Sequence, residues 1–268
     1  MLVVDLDGTA LTGRDQLRDD DREAALALKA MGIPVTIATG RLLAGTRWVA
    51  EAMEVEGAVA VMNGSSRFDV GRHQVVHADA FAPDEQLRAA SVFDELGLPG
   101  FLFGLDAIHV HEAHHDAYLD YLSIWTPQVH VHDGGAWSGV ADTLAIGAVG
   151  ADHAIQAARE RLVAAHPGLR AKTFQTFAGE AFLELRVGVQ DKGTAVEALA
   201  AERGIALEDV VAVGDWWNDL PMLRRVGHAY AMGDAAPEVL ATAHHTLDSR
   251  ARHGGAIAEL ARRIWDLR

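Results

Sequence analysis

Two carboxylates stand two residues apart near the start of the chain, in Asp5-Leu6-Asp7, and are followed by Gly8 and Thr9. On an extended strand end, residues two apart point to the same side. One carboxylate can then attack an electrophile while the other handles protons at the leaving oxygen. Further along come Thr39-Gly40-Arg41, Asn63-Gly64, Lys192, and Gly214-Asp215 with Asn218 and Asp219. Carboxylates gathered in one place repel one another, and a hard cation relieves that repulsion. An oxygen donor set without thiolates favours magnesium over zinc. A lysine and a threonine beside such a cation can hold the oxygens of a transferring phosphoryl group. That electrostatic positioning is most of what phosphoryl transfer needs from a protein.

These residues converge only if the elements carrying them are arranged to bring them together. Apolar runs at Leu2–Val4, Ile33–Ala38, Ala58–Met62 and Val210–Val213 each end at one of the polar groups. Between them, helices are expected over Asp19–Met31, closed by Gly32, and over Leu42–Glu54. Lys192 opens another that runs to Arg203, with Gly204 as its stop. A short helix over Asn218–Arg225, a strand over His228–Met232 and an amphipathic helix over Gly255–Leu267 complete this part. The strand–helix rhythm implies a doubly wound α/β core with a parallel sheet, and ligands bind such sheets beyond the carboxyl ends of the strands.

The rhythm breaks in the middle of the chain. A hairpin around Gly71 over Arg67–Val76 is followed by helices expected at Pro83–Glu95, Asp116–Trp125 and Ala151–His166. Strands are expected at Phe101–Phe103, Ile108–Val110, Leu144–Val149, Ala171–Phe174 and Phe182–Leu185. This stretch reads as an α+β unit, residues 81–186, inserted in a core formed by residues 1–80 and 187–268.

The motifs Asp5-Leu6-Asp7-Gly8-Thr9, Thr39-Gly40-Arg41, Lys192, and Gly214-Asp215-Trp216-Trp217-Asn218-Asp219-Leu220-Pro221-Met222 together resemble the haloacid dehalogenase superfamily. All four of its motifs occur in order. The size and position of the insert, with Asn63-Gly64, resemble the large cap of the Cof-type sugar-phosphatase branch. The resemblance implies a magnesium-dependent phosphatase acting on a small phosphorylated metabolite such as a sugar phosphate. It makes Asp5 the nucleophile that forms an aspartyl phosphate, and Asp7 the acid that protonates the leaving alcohol and later activates water. Thr39 would bind the phosphoryl oxygens and Lys192 would neutralise charge. Magnesium would be held by Asp5, Asp215 and the backbone carbonyl of Asp7, with Asp219 beside it or bound directly. Gly40, Arg41, Asn63, Gly64 and Asn218 are the expected substrate contacts. A phosphotransferase or mutase of the same superfamily, or a phosphate-ester sensor without turnover, are the rival readings.

Composition narrows the partners. The net charge of -15 repels nucleic acid and anionic membranes. Cysteine is absent, which excludes disulfides and thiolate metal sites and makes the cytoplasm the expected compartment. No apolar run is long enough to span a membrane. A monomer or homodimer is expected. The stretch His111-Glu112-Ala113-His114-His115 matches a zinc-protease pattern. With 14 histidines in the chain such a match arises easily, and Tyr118 stands where the extended motif requires glycine. Trp216 and Trp217 read as core packing or a pocket wall, with at least one expected to pack in the core.

Overall fold

The computed structural model describes residues 1–13, 15–111, 118, 122, 126, 128–132, 140–176, 179–251 and 253–267. Its strands are β1 (Leu2–Val4), β2 (Val35–Ile37), β3 (Ala58–Val61), β4 (Ser66–Asp69), β5 (Gln74–Ala78), β6 (Gly100–Phe103), β7 (Ile108–His111), β8 (Val129–His132), β9 (Ala145–Gly150), β10 (Arg170–Gln175), β11 (Ala181–Arg186), β12 (Val211–Gly214), β13 (His228–Ala231) and β14 (His245–Thr246). Two compact units divide them. The first comprises Met1–Gly40, Thr46–His77 and Gln190–Arg268, and the second Arg41–Gly45 and Ala78–Val189.

The first unit is built on a parallel sheet of order β14-β13-β12-β1-β2. Ala38 pairs with Ala60, which brings β3 alongside β2, and β3 continues into an antiparallel ribbon with β4 and β5. Strands covered on both faces need apolar residues on both. Accordingly, Leu2, Val3, Val4, Ala212 and Val213 are fully buried. The chain leaves β1 toward β2 and returns, after the second unit, to β12 on the other side of β1. The order therefore reverses between β1 and β12. That reversal is where an α/β sheet opens a crevice for ligand, and Asp5 and Asp215 directly follow those two strands.

A first and a last helix close this unit. Helix Asp19–Ala30 carries Asp19, Asp20 and Asp21 in its first turn, where the helix dipole favours negative charge. Helix Ala256–Trp265 begins after Gly255, which has φ 95°, and has no cap from a neighbouring side chain. Asp21 supplies the cap from the first helix. Its Oδ2 accepts the Gly255 N–H at 2.6 Å and its Oδ1 the Ala258 N–H at 2.9 Å. Glu259 on the last helix in turn accepts the N–H groups of Asp248 and Ser249 at 2.8 and 2.7 Å.

The second unit is a six-stranded sheet of order β10-β11-β9-β6-β7-β8, antiparallel except for the β7–β8 pair. The helices Pro83–Glu95 and Asp152–Ala165 contribute Phe93, Ile155 and Leu162 to a core that includes Leu102, Ile146 and Leu183. Phe101, Phe174 and Phe182 form a separate run of stacked rings. Gly147 admits those rings, because a side chain there would run into Phe182 and Phe103.

Several expectations are adjusted. β8 was not anticipated, since alternating Val and His on a short strand lacks the apolar signature of a strand. Helix Pro237–Thr242 and the two-residue β14 were missed as well; both are too short for periodicity to register. The helix expected over Asn218–Arg225 is a 3-10 turn, Trp217–Asp219, followed by one turn at Leu220–Leu223. The helix expected at 116–125 lies mostly outside the described residues, as does the zinc-like pattern beyond His111.

The Asp21 cap gives a direct test. Replacing Asp21 with Ala leaves two buried N–H groups without acceptors, which costs about 1–3 kcal/mol. Urea unfolding of Asp21→Ala should show a lower midpoint with an unchanged m-value, and an unaltered midpoint would refute the capping role.

Candidate active site

At the ends of β1 and β12 the backbone is shaped by glycine. Gly8 has φ 77°, and a Cβ there would collide with the carboxylate of Asp215. A Cβ at Gly214 would collide with Asp219. The two loops can close on each other only because both positions lack a side chain. Asp5 continues the strand pairing, its N–H donating to the Val213 carbonyl at 3.1 Å. Its side chain is 5% exposed.

Lys192 joins the parts. Its Nζ is fully buried and donates to Asp5 Oδ1 and Asp219 Oδ1, both at 2.6 Å. The lysine opens helix Lys192–Ala201, where a cation is unfavourable by the helix dipole, so the two carboxylates must hold it there. Asp191, just before it, caps the helix by accepting the Thr194 N–H at 2.9 Å. Gly64 lies against that cap, and a side chain on it would run into the Asp191 carbonyl. Burial works against the lysine's charge, but Asp219 and Asp5 outweigh it and hold its pKa above the ordinary lysine value.

Asp219 uses both oxygens. Oδ1 receives Lys192, while Oδ2 accepts the N–H groups of Asp215 and Trp216, each at 3.0 Å. It thereby fixes the turn that presents Asp215. Thr9 Oγ1 donates to Asp215 Oδ1 at 3.4 Å. Asp5, Asp215 and Asp219 each place one carboxylate oxygen within 4.8 Å of the others. Burial raises the Asp5 carboxyl well above its usual value, with Asp219 adding to the effect and Lys192 opposing it. Burial, then the charge of Asp219, pushes Asp215 up to about 7. Three acids around one ammonium leave an excess of negative charge. An oxygen donor set of this kind fits a hard divalent cation.

A second group gathers beside the ends of β2 and β3. The Asn63 N–H donates to the Thr39 carbonyl at 2.8 Å, and Thr39 N–H to Ala60 at 2.9 Å. Asn218 Nδ2 donates to Asn63 Oδ1 at 2.9 Å. A Cβ on Gly40 would lie 3.3 Å from that same oxygen. Met62, Asn63 and Gly64 all have positive φ, at 47°, 54° and 93°. Gly and Asn tolerate that region, whereas Met62 carries strain. Thr39 is fully buried.

The structure thus brings Asp5, Lys192, Asp215 and Asp219 together, and Thr39, Gly40, Asn63, Gly64 and Asn218 into one neighbouring set. Asp7 is exposed, on the loop after Asp5. Arg41 belongs to the second unit. Trp216 and Trp217 correct the expectation of core packing: they are 52% and 51% exposed, with their rings 4.5 Å apart. Trp217 Nε1 donates to Glu238 at 2.8 Å, a partner on a helix the sequence did not disclose. Thr9 and Asp191 had no assigned role. Their signal was position alone, one inside the first motif and the other directly before Lys192.

The chain matches the haloacid dehalogenase-like hydrolase family over residues 2–259. It is 28% identical over 255 residues to the HMP-PP phosphatase of Cronobacter sakazakii, covering 90% of this chain and 86% of that one. To the pyridoxal phosphate phosphatase YbhA of Escherichia coli it is 26% identical over 259 residues, 91% of each chain. A haloacid dehalogenase-like hydrolase from Bacteroides thetaiotaomicron has the same fold, with a TM-score of 0.85 at 21% identity over 98% of each chain.

The burial of Asp215 has a pH signature. Asp215 titrates near 3.8 when unfolded and at about 7 in the folded protein. Between those values the folded state binds more protons, so this group's contribution to stability falls as pH rises. In the presence of chelator, wild type should lose stability relative to Asp215→Asn between pH 5 and pH 7.5. A constant difference across that range contradicts the assignment.

Proposed function

The chain belongs to the haloacid dehalogenase-like hydrolase family, and on that premise we propose a magnesium-dependent phosphatase that acts on small phosphorylated metabolites through Asp5. The observation that carries the reading is the buried Lys192, shared by Asp5 and Asp219 beside Asp215 at the crevice between β1 and β12.

Lys192 holds Asp5 Oδ1, which orients the carboxylate with Oδ2 as the attacking atom. In the first step Oδ2 forms a bond to phosphorus as the bond to the leaving oxygen breaks, and Asp7 gives its proton to that oxygen. In the second, water attacks phosphorus, Asp7 takes the water's proton, and the bond to Asp5 breaks to release phosphate. The exposure of Asp7 suits a group that exchanges protons with an incoming alcohol and water. Thr39 and Lys192 hold the phosphoryl oxygens. Asp5 and Asp215, with the Asp7 carbonyl, would hold Mg2+, which supplies charge stabilisation to the phosphoryl group. Asp219, whose two oxygens already engage Lys192 and two N–H groups, either joins them or keeps the set in place.

Gly40, Asn63, Gly64 and Asn218 are assigned to the substrate, together with Arg41. The inserted unit, residues 81–186, is assigned to choosing the leaving group. Sugar phosphates and polyol phosphates are the favoured substrates by family branch. Phosphate esters of heterocyclic alcohols stand beside them, because two relatives are named for HMP-PP and pyridoxal phosphate. No helix among the described residues is long and apolar enough to cross a membrane.

The test is phosphate release from a panel of such esters, with Mg2+ and with chelator. Magnesium-dependent release is expected, lowered about a thousandfold or more in Asp5→Asn and by about 10²–10⁴ in Asp7→Asn. Full activity of Asp5→Asn refutes the nucleophile. Phosphate appearing on an added sugar instead of in water would make the protein a phosphotransferase.

A further inference from the structure

The second unit carries histidines that phosphoryl transfer does not use. β7 reads Ile108-His109-Val110-His111 and β8 reads Val129-His130-Val131-His132. The two strands pair in parallel, with His109 opposite His130 and His111 opposite His132. Register partners share a face of a sheet, and so do residues two apart on a strand. Four imidazoles therefore stand on one face of a two-stranded strip, while Ile108 and Val110 turn into the core. β8 is the edge of its sheet, so the strip lies along a border.

Within it, His109 Nδ1 and His132 Nε2 are 2.7 Å apart. The His109 ring lies 5.1 Å from that of His130 and 5.0 Å from that of His132. Two neutral rings at this distance share one N–H···N hydrogen bond. The same spacing also suits two lone pairs turned toward one cation. Imidazole–metal bonds of about 2.0 Å place the nitrogens roughly 2.8 Å apart at a right angle and roughly 3.3 Å apart at a tetrahedral one. The observed separation fits the right angle, the geometry that Ni2+ and Cu2+ offer.

We propose that His109 and His132 form a binding site for a divalent transition-metal ion of the nickel and copper class. Its nitrogen donors set it apart chemically from the three carboxylates, which suit a hard cation. Burial, and then the rings of His132 and His130, push His109 down to about 4, so it offers a lone pair at neutral pH. On binding, the ring that donated its N–H moves that proton to its other nitrogen, and no net proton is released. The ion ties the edge strand to β7 and stabilises the folded state by mass action.

The experiment is calorimetric titration of the full-length protein with NiCl2, in excess Mg2+ to occupy the carboxylates, followed by thermal melting at one equivalent. One Ni2+ equivalent tighter than about 10 µM is expected, with a raised Tm. His109→Ala and His132→Ala should each weaken it about tenfold or more, while His228→Ala, at an exposed position of the first unit, should keep it. If His109→Ala fails to fold, the milder His132→Gln on the edge strand decides. Nitrogen hyperfine structure in the Cu2+ electron paramagnetic resonance spectrum of wild type should disappear in that variant. Absence of Ni2+ binding tighter than about 100 µM, or binding unchanged in both His132 variants, overturns the proposal.

Discussion

A single buried ammonium organises the first unit. Lys192 is fully buried, and the energy of leaving such a charge unpaired is several kcal/mol. Asp5 and Asp219 provide the pairing at 2.6 Å each. These three residues come from the end of β1, the start of a helix and the turn after β12. The ion cluster therefore welds three chain segments at the point where the sheet order reverses. Replacing it by apolar residues of similar volume need not destabilise the fold. What it provides is placement, with the Asp5 carboxylate held at the end of its strand.

Around that cluster the backbone has been cleared of side chains. Gly8, Gly214 and Gly64 each stand where a Cβ would strike Asp215, Asp219 or the Asp191 cap before Lys192. The glycines set how closely the loops approach, and the acids set the charge. The strained Met62 belongs to the same economy, since its conformation aims Asn63 at Asn218. Rigid apolar strands beneath the loops keep such conformations from relaxing.

Much of this was legible in the sequence because apolar runs ending in acids mark strand ends, and strand ends in parallel sheets share an edge. The strands Leu2–Val4, Val35–Ile37 and Val211–Gly214 and the gathering of Asp5, Lys192 and Asp215 follow from that rule, whereas the order of the strands in the sheet does not. What escaped depends on partners distant in sequence. That Asp219 serves Lys192 with one oxygen and two N–H groups with the other cannot be read from its spacing. Nor can the capping of the last helix by Asp21, or the exposure of both Trp216 and Trp217 with Glu238 as a partner. β8 escaped because its histidines alternate with valines on an edge, where neither burial nor length gives a signal. Helix Pro237–Thr242 was too short to show a period.

The division of the chain has a consequence for its synthesis. The second unit is drawn almost entirely from one continuous stretch, Ala78–Val189, and its core contacts lie within that stretch. The first unit needs β12, Lys192, Asp219 and the last helix, all encoded after it. As the polypeptide leaves the ribosome, the inserted unit can complete its sheet while β1 still lacks its neighbour β12 and Asp5 its counter-charge. Asp5 thus gains its counter-charge only after the inserted unit has been made, and a product truncated before Lys192 would carry a folded insert attached to an open-edged half-sheet.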